Sequence, residues 1–304
     1  MSLEFDNIAS ADCQQPNCNK IKTVITPKQK DLGGFSVRRV LPAIEQRMVG
    51  PWLFFDHMGP AVFPAGSGIN VRPHPHVNLA TVTYLFEGEI LHRDSLGSYQ
   101  PIRPGDVNLM IAGKGIVHSE RERPEVTAVE HNLHGLQLWL ALPEAQQEIA
   151  PDFIHYPDAT IPTVNVEGVS VRVIIGHAYG FTSPVKMFAE THYFEAAMAP
   201  NQSLALPLIE ERAVYVADGV VDIDGTQVEQ YQMAVINPAH DVQVTALESS
   251  RIALISGEKM APRRMFWNFA STSSERIEQA KLDWKEGRFD KVPGDEDEFI
   301  PLPE

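Results

Sequence analysis

Two short motifs in the first half of the chain carry the residue types from which metal sites are made. His74-Pro75-His76 places two imidazoles at positions i and i+2, and His118-Ser119-Glu120 places an imidazole and a carboxylate at the same spacing. In extended backbone such residues share one face, so each pair projects toward a single point. The proline between the first two removes a ladder donor and predicts a strand start, an edge or a bulge. Two antiparallel strands that offer His-x-His and His-x-Glu on one interior face converge on one ion. Neutral imidazoles with one carboxylate suit Fe(II), Mn, Ni, Cu or Zn and lack the thiolates of structural zinc sites. His74, His76, His118 and Glu120 together leave one or two positions free on a five- or six-coordinate metal, and an open position is what catalysis requires. Iron is favoured, because mixed histidine and carboxylate ligation with vacant positions is the pattern of non-haem iron oxygenases.

Other histidines carry weaker expectations. His92 follows a strand by period two, and packing on an exposed hairpin is preferred over lining a cavity. His131 and His134 are three apart at a strand entry, where capping and turn roles compete with support of a metal ligand. His57, His155, His177, His192 and His240 are isolated in sequence and read as ordinary surface or core residues. Nucleophile chemistry has no support, since no Gly-x-Ser-x-Gly elbow is present. Gly113-Lys114-Gly115 lacks the spacing of a phosphate loop and reads as a turn before His118.

The elements that must position these motifs read as strands. Pro (23) and Gly (20) fall between short apolar runs spaced about ten residues apart, the pattern of an all-β sandwich or barrel. Runs such as "ATVTYLFEGEILHRD", "LHGLQLWLALP" and "QMAVINPAHDVQVTAL" are examples. The clearest helix is "STSSERIEQAKLDWKEGRF", with Ser273 or Ser274 as cap, an apolar stripe of Ile277, Ala280, Leu282 and Trp284, and Gly287 as terminator. Acidic "PGDEDEFIPLPE" closes the sequence as a solvated or surface-hugging tail. Sliding the chain along itself superposes Tyr84 on Tyr215 and Gly88 on Gly219, each within a strand, turn glycine, strand pattern. The match supports two similar β-barrels joined near residues 140–153, although two such short matches also arise by chance.

Composition narrows the classes. The 304 residues are 43% hydrophobic, ample for a buried core. Lys and Arg number 25 against 40 Asp and Glu, a net charge of −15 that disfavours direct nucleic acid binding and anionic membranes. Cys13 and Cys18, the only cysteines, make no disulfide framework and point to a reducing compartment. The opening residues lack a basic region followed by an apolar one, and no run approaches a membrane span, so a cytoplasmic protein is expected.

The segments "FFDHMGP", "RPHPHVNLATVTYLFEGEILHRDSLG", "IRPGDVNLMIAGKGIVHSE", "HGLQLWLALP", "ISGE" and "ERIEQAKLDWKEGRFD" together resemble, in content and order, the pirin family of the cupin superfamily. The resemblance spans residues from about 36 to 291, nearly the whole chain. It implies an all-β fold of two tandem cupin barrels, of the double-stranded β-helix or jelly-roll type, with a short C-terminal helix. It divides the chain into a leader and first strand (1–35), a metal-binding cupin (36–148), and a metal-free cupin with the helix and tail (149–304). It implies iron held by His74, His76, His118 and Glu120, the four that spacing nominates, while Ala205 and Pro207 fall where the second barrel would need His74 and His76. One departure stands out. Many pirins follow His-Pro-His with Arg-Gly-Phe-Glu, where this chain has Val77-Asn78-Leu79-Ala80, an exchange expected to make the pocket wall less polar.

The activity implied by the resemblance is an iron-dependent dioxygenase of quercetin 2,3-dioxygenase type acting on a flavonol-like aromatic substrate. In that reading Glu120 is both a ligand and the acceptor of the substrate proton, and Leu79, Met110 and Phe55 are candidates for the substrate wall. The alternative is a regulator without catalysis that binds a transcription factor or metabolic enzyme through an iron redox switch. A cupin isomerase or sugar-binding domain is a third possibility. No organic cofactor is expected.

Overall fold

In this computed structural model, residues 20–31, 35–238 and 240–303 are described. Cys13 and Cys18 lie outside the described residues. Two seven-stranded antiparallel sheets dominate, and their strand orders are the same order repeated. In the first, Leu79–Glu87 lies between Val107–Ile111 and His131–Ala141, followed by Trp52–Phe63, Ser36–Leu41 and Lys28–Asp31. In the second, Glu211–Asp218 lies between Met233–Ile236 and Ser250–Gly257, followed by Thr191–Met198, Val169–Ile175 and Thr163–Val166. Each large sheet has a four-stranded companion, built on Val71–His76 with Ile116–Arg121 in the first barrel and on Ser203–Ala205 with Gln243–Ala246 in the second. Gly88 and Gly219, superposed by the internal repeat, both adopt positive φ (85° and 78°) and both lie against backbone where a Cβ would clash. The chain is therefore a bicupin with one C-terminal helix, Ser274–Lys285, whose N-cap Ser273 accepts from the Arg276 amide at 3.2 Å. Leu282, expected on the apolar stripe, is 49% exposed, and Ile277 and Ala280 carry the buried face.

The halves exchange strands. Ile21–Ile25 pairs with Met233–Ile236 at the edge of the second large sheet, and Asp152–Tyr156 pairs with Val107–Ile111 at the edge of the first. The two large sheets then pack against each other through one cluster containing Trp52, Phe55 and Tyr84 from the first and Ile174, Tyr193 and Tyr215 from the second. Two polar groups trapped in this seam find partners across it. The Trp52 indole donates to the carbonyls of His192 (3.2 Å) and Ser256 (3.1 Å), and the Tyr84 hydroxyl donates to Glu195 at 2.6 Å. Among the described residues no helix is long and apolar enough to cross a membrane.

The barrel interiors differ. Val and Ile side chains from both sheets fill the second with one continuous apolar cluster, from Val169 and Val171 to Val221 and Val244. In the first the interior splits into two clusters, one around Leu53, Phe54 and Trp139, the other around Met58, Ile69 and Leu85, and a cavity of about 530 Å³ touches members of both.

The departure at residues 77–80 is a matter of core and backbone. Val77, Leu79 and Ala80 are fully buried in three different clusters and do not line the cavity, which corrects the expectation of a less polar pocket wall. Asn78 stands where the resemblance leads one to expect glycine, and its φ of 62° accounts for the residue found, since asparagine tolerates the left-handed region better than other non-glycine side chains. Its amide donates to the Gln147 carbonyl (2.7 Å) and to Glu148 (2.6 Å), tying the turn to the loop after the first barrel. Asn78→Ala, which meets the strained backbone and loses these bonds, is expected to cost roughly 2–3 kcal/mol in urea unfolding. Asn78→Gly removes the same bonds without the strain and should cost about 1 kcal/mol less.

Candidate metal centre

Both histidine motifs lie on paired strands, as the extended spacing requires. Val71–His76 runs antiparallel to Ile116–Arg121, with His118 directly opposite His74 and His76 one pleat away opposite Ile116. Pro73 and Pro75, which cannot donate, fall in the edge strand of this four-stranded sheet, where missing donors are tolerated. The three imidazoles converge. One ring nitrogen from each of His74, His76 and His118 lies within 4.8 Å of the others, and all three rings are buried. The strand register slips between His118 and Glu120, so Glu120 faces Val71 on one side and His92 on the other. Glu120 consequently lines the same cavity but lies outside the three-histidine cluster.

Electrostatics keep the cluster neutral. Burial pulls the His74 pKa down to about 4, with the Arg72 carbonyl opposing the shift. Burial, and then repulsion from the neighbouring rings, holds His76 and His118 well below the usual value. Neutral imidazole is the metal-binding form. The free nitrogens also point to an ion. His74 Nδ1–H donates to the Arg72 carbonyl at 2.9 Å, leaving Nε2 available, while His76 Nδ1 and His118 Nε2 are buried with no hydrogen-bond partner. Orphaned imidazole nitrogens facing one another are costly unless a cation joins them, so these residues fit a borderline divalent metal.

His92 belongs to the site, against the expectation of exposed hairpin packing. It is buried, stacks on Phe153 with centroids 4.1 Å apart, and donates from Nε2 to Asp94 at 2.8 Å. Its Nδ1 then accepts from His118 Nδ1 at 3.4 Å, which turns the His118 Nε2 lone pair toward the cluster. Asp94 is fully buried; burial alone would raise its pKa, but bonds from His92 and Ser98 hold it below the usual carboxylate range. The signal was present as a further i, i+2 pair, His92-x-Asp94.

The other expectations divide. The cavity wall carries Phe54, Met58, Trp139, Met265 and Trp267, with the Arg39–Asp56 pair, Arg47, Gln137 and Asn268 among its polar groups. Leu79, Met110 and Phe55 are core residues, correcting their assignment to the wall; Phe55 points into the seam because successive strand residues face opposite sides, and its neighbour Phe54 takes the cavity face. Phe54 stacks on Trp139 at 3.9 Å, and Trp139 meets His76 edge-on at 5.0 Å. His134 joins His57 (2.7 Å), and His57 joins Tyr215 across the seam (2.6 Å); His131 joins Glu122. In the second barrel the strands equivalent to the motif strands bring together Ser203 with Thr245 and Ala205 with Gln243. The C-terminal tail hugs the first barrel: Arg121 pairs with Asp295 and Glu298, the Ile300 amide donates to the Pro73 carbonyl at 2.9 Å, and Ile300 closes part of the cavity rim.

Burial alone raises the pKa of Glu120 to about 7, and no basic side chain offsets it. A carboxylate poised near neutrality beside an apolar cavity is suited to taking a proton.

Comparison with known proteins agrees with this architecture. A family described as Pirin matches residues 34–140, and one described as Pirin C-terminal cupin domain matches residues 193–290. A pirin-like protein of Caulobacter vibrioides is 47% identical over 93% of this chain and 100% of its own. Human pirin is 31% identical over 88% of this chain and 92% of its own. A crystal structure of quercetin 2,3-dioxygenase from Acinetobacter baumannii superposes with a TM-score of 0.86 at 33% identity, covering 93% of this chain and 95% of that one.

Proposed function

This chain belongs to the pirin family, and from that membership we propose that it is an iron-dependent dioxygenase of quercetin 2,3-dioxygenase type, acting on a flavonol-like substrate. The observation that carries the reading is the buried triad of neutral imidazoles with orphaned nitrogens, opening on a cavity walled in part by aromatic rings. The likeness to the Acinetobacter baumannii quercetin 2,3-dioxygenase supports it. His74, His76 and His118 hold the ion, and Glu120 is the carboxylate beside it. Iron bound there supplies a Lewis acid for the flavonol oxygens and a redox centre for dioxygen.

The remaining work falls to the protein. A cavity of about 530 Å³ lies within the range of small-molecule sites, and Phe54, Trp139 and Trp267 offer faces against which a planar ring system can stack. Gln137 and the Arg39–Asp56 pair supply the polar contacts that orient such a ligand. Glu120, poised near neutrality and ionised above it, accepts the proton of the flavonol hydroxyl as that oxygen becomes an anion. The aromatic wall and the tail at Ile300 keep bulk water from the reacting ring.

The test is aerobic turnover of quercetin by iron-loaded protein, followed by loss of flavonol absorbance and release of carbon monoxide, with iron measured by elemental analysis. Cleavage supported by bound iron is expected. Bound iron with intact quercetin would overturn the activity and favour the regulatory alternative. The His92–Asp94 pair adds a separate expectation. Asp94→Asn, which withdraws the charge that fixes the His92 and His118 tautomers, is expected to weaken iron binding by roughly 10- to 100-fold in a competition titration, with circular dichroism unchanged.

A further inference from the structure

A second cluster of ligand groups lies in the other half of the molecule. One atom from each of His177, Glu190 and His192 lies within 4.8 Å of the others, and the His177 and His192 rings are 4.9 Å apart. The elements that gather them are local. His177 sits on a two-residue strand paired with Phe181–Thr182, while Glu190 immediately precedes, and His192 lies within, the strand Thr191–Met198. Gly176, at φ 88°, brings the first segment against the second; a Cβ there would run into the His192 ring.

His192 is the informative member. It is 1% exposed, yet neither ring nitrogen has a hydrogen-bond partner. A buried imidazole with both nitrogens unpaired is the costly arrangement that folded proteins avoid. Directly across the ladder stands Ser256, fully buried, whose hydroxyl is also unpartnered. In the first barrel the equivalent cross-strand pair is Phe54 opposite Trp139, two stacked rings that wall the cavity. Where one barrel has an aromatic wall, the other has polar atoms without partners, next to an exposed imidazole and an exposed carboxylate.

We propose that His177, Glu190 and His192 form a second metal site, one that takes Zn²⁺ and lies apart from the triad of the first barrel. Two imidazoles and one carboxylate are a known zinc donor set that leaves the fourth tetrahedral position to water or an anionic ligand. In such a tetrahedron neighbouring donor atoms stand about 3.4 Å apart, given bonds of roughly 2.1 Å. The three atoms lie within 4.8 Å of one another, with His192 as the buried donor, and closing to that spacing falls to the two exposed side chains. Zinc at this place clips the short hairpin to the strand whose His192 carbonyl receives the Trp52 indole, so the ion stabilises one flank of the seam. The site does not depend on the activity proposed for the first barrel.

Chelator-stripped full-length protein is dialysed to equilibrium against buffered Zn²⁺ and its zinc is counted by elemental analysis. Native protein is expected to bind two equivalents, and His177→Ala and Glu190→Gln, both surface changes that leave the fold intact by circular dichroism, one each. Affinity at the second site should fall at least tenfold in either variant. Two equivalents retained by both variants, or a single native equivalent that neither variant alters, would overturn the proposal. One native equivalent that His177→Ala abolishes would uphold this site and remove the one in the first barrel.

Discussion

His76→Ala and His118→Ala are each expected to lose iron by at least roughly a hundredfold in affinity and to lose quercetin turnover with it. Each contributes one of three converging nitrogens, and each has a free nitrogen that no protein group satisfies. Removing either takes away one of the three converging nitrogens and leaves at most two imidazoles with the nearby Glu120, a weaker donor set in which the emptied space admits water. Because the rings are buried, the variants also open space, so metal content must be read together with thermal unfolding of the metal-free forms. Glu120→Gln separates two roles. Lying outside the histidine cluster, Glu120 is expected to leave iron content within about tenfold of native while turnover falls by 10²–10⁴, the range of a lost proton acceptor. Parallel loss of iron would instead make Glu120 a ligand in the full sense of the His-x-Glu motif. Retention of both iron and turnover in all three variants would sink the assignment of the site.

Metal-free protein is expected to lose stability steeply on acidification. Burial holds His57 at about 3 and His74 and His192 at about 4, and leaves His76 and His118 well below the usual value. Unfolding releases each to about 6.5. Above that pH the rings are neutral in both states and contribute nothing to the pH dependence. As pH falls from 6.5 toward 4 the unfolded chain binds protons that the folded one refuses, and each ring costs about 1.4 kcal/mol per pH unit. Several such groups act in the same direction over the same pH window. Urea midpoints should therefore drop sharply between pH 6.5 and 5. Glu120 has the opposite sign: its folded pKa of about 7 exceeds the unfolded value, so its burial costs stability as pH rises through that window. Glu120→Gln should accordingly stabilise metal-free protein by roughly 1–3 kcal/mol at pH 8 and have no such effect near pH 4. A flat urea midpoint from pH 7 to 5 would show that these histidines are hydrated in solution.

Local rules carried much of this protein. Period-two spacing put His74 with His76, turn residues marked the strand ends, and the matched turns at Gly88 and Gly219 supported, without establishing, a duplicated barrel, because strand parity and positive φ are properties of a few adjacent residues. Residue type alone indicated the metal chemistry, since donor atoms do not depend on what surrounds them. Tertiary structure decided what adjacency cannot express. Phe54 rather than Phe55 faces the cavity because only the packing of sheet on sheet says which side of a strand is the seam. His92 and Asp94 became supports of His118 through a pairing between strands distant in sequence. A slip in register set Glu120 apart from the three histidines, and a slip is a relation between two strands, not a property of either. His177 and His192 read as isolated, yet a glycine turn lays one segment on the other. The same strand order encloses a hollow in one barrel and packed Val and Ile in the other, because a cavity is set by the summed volume of side chains that meet only when the sheet closes.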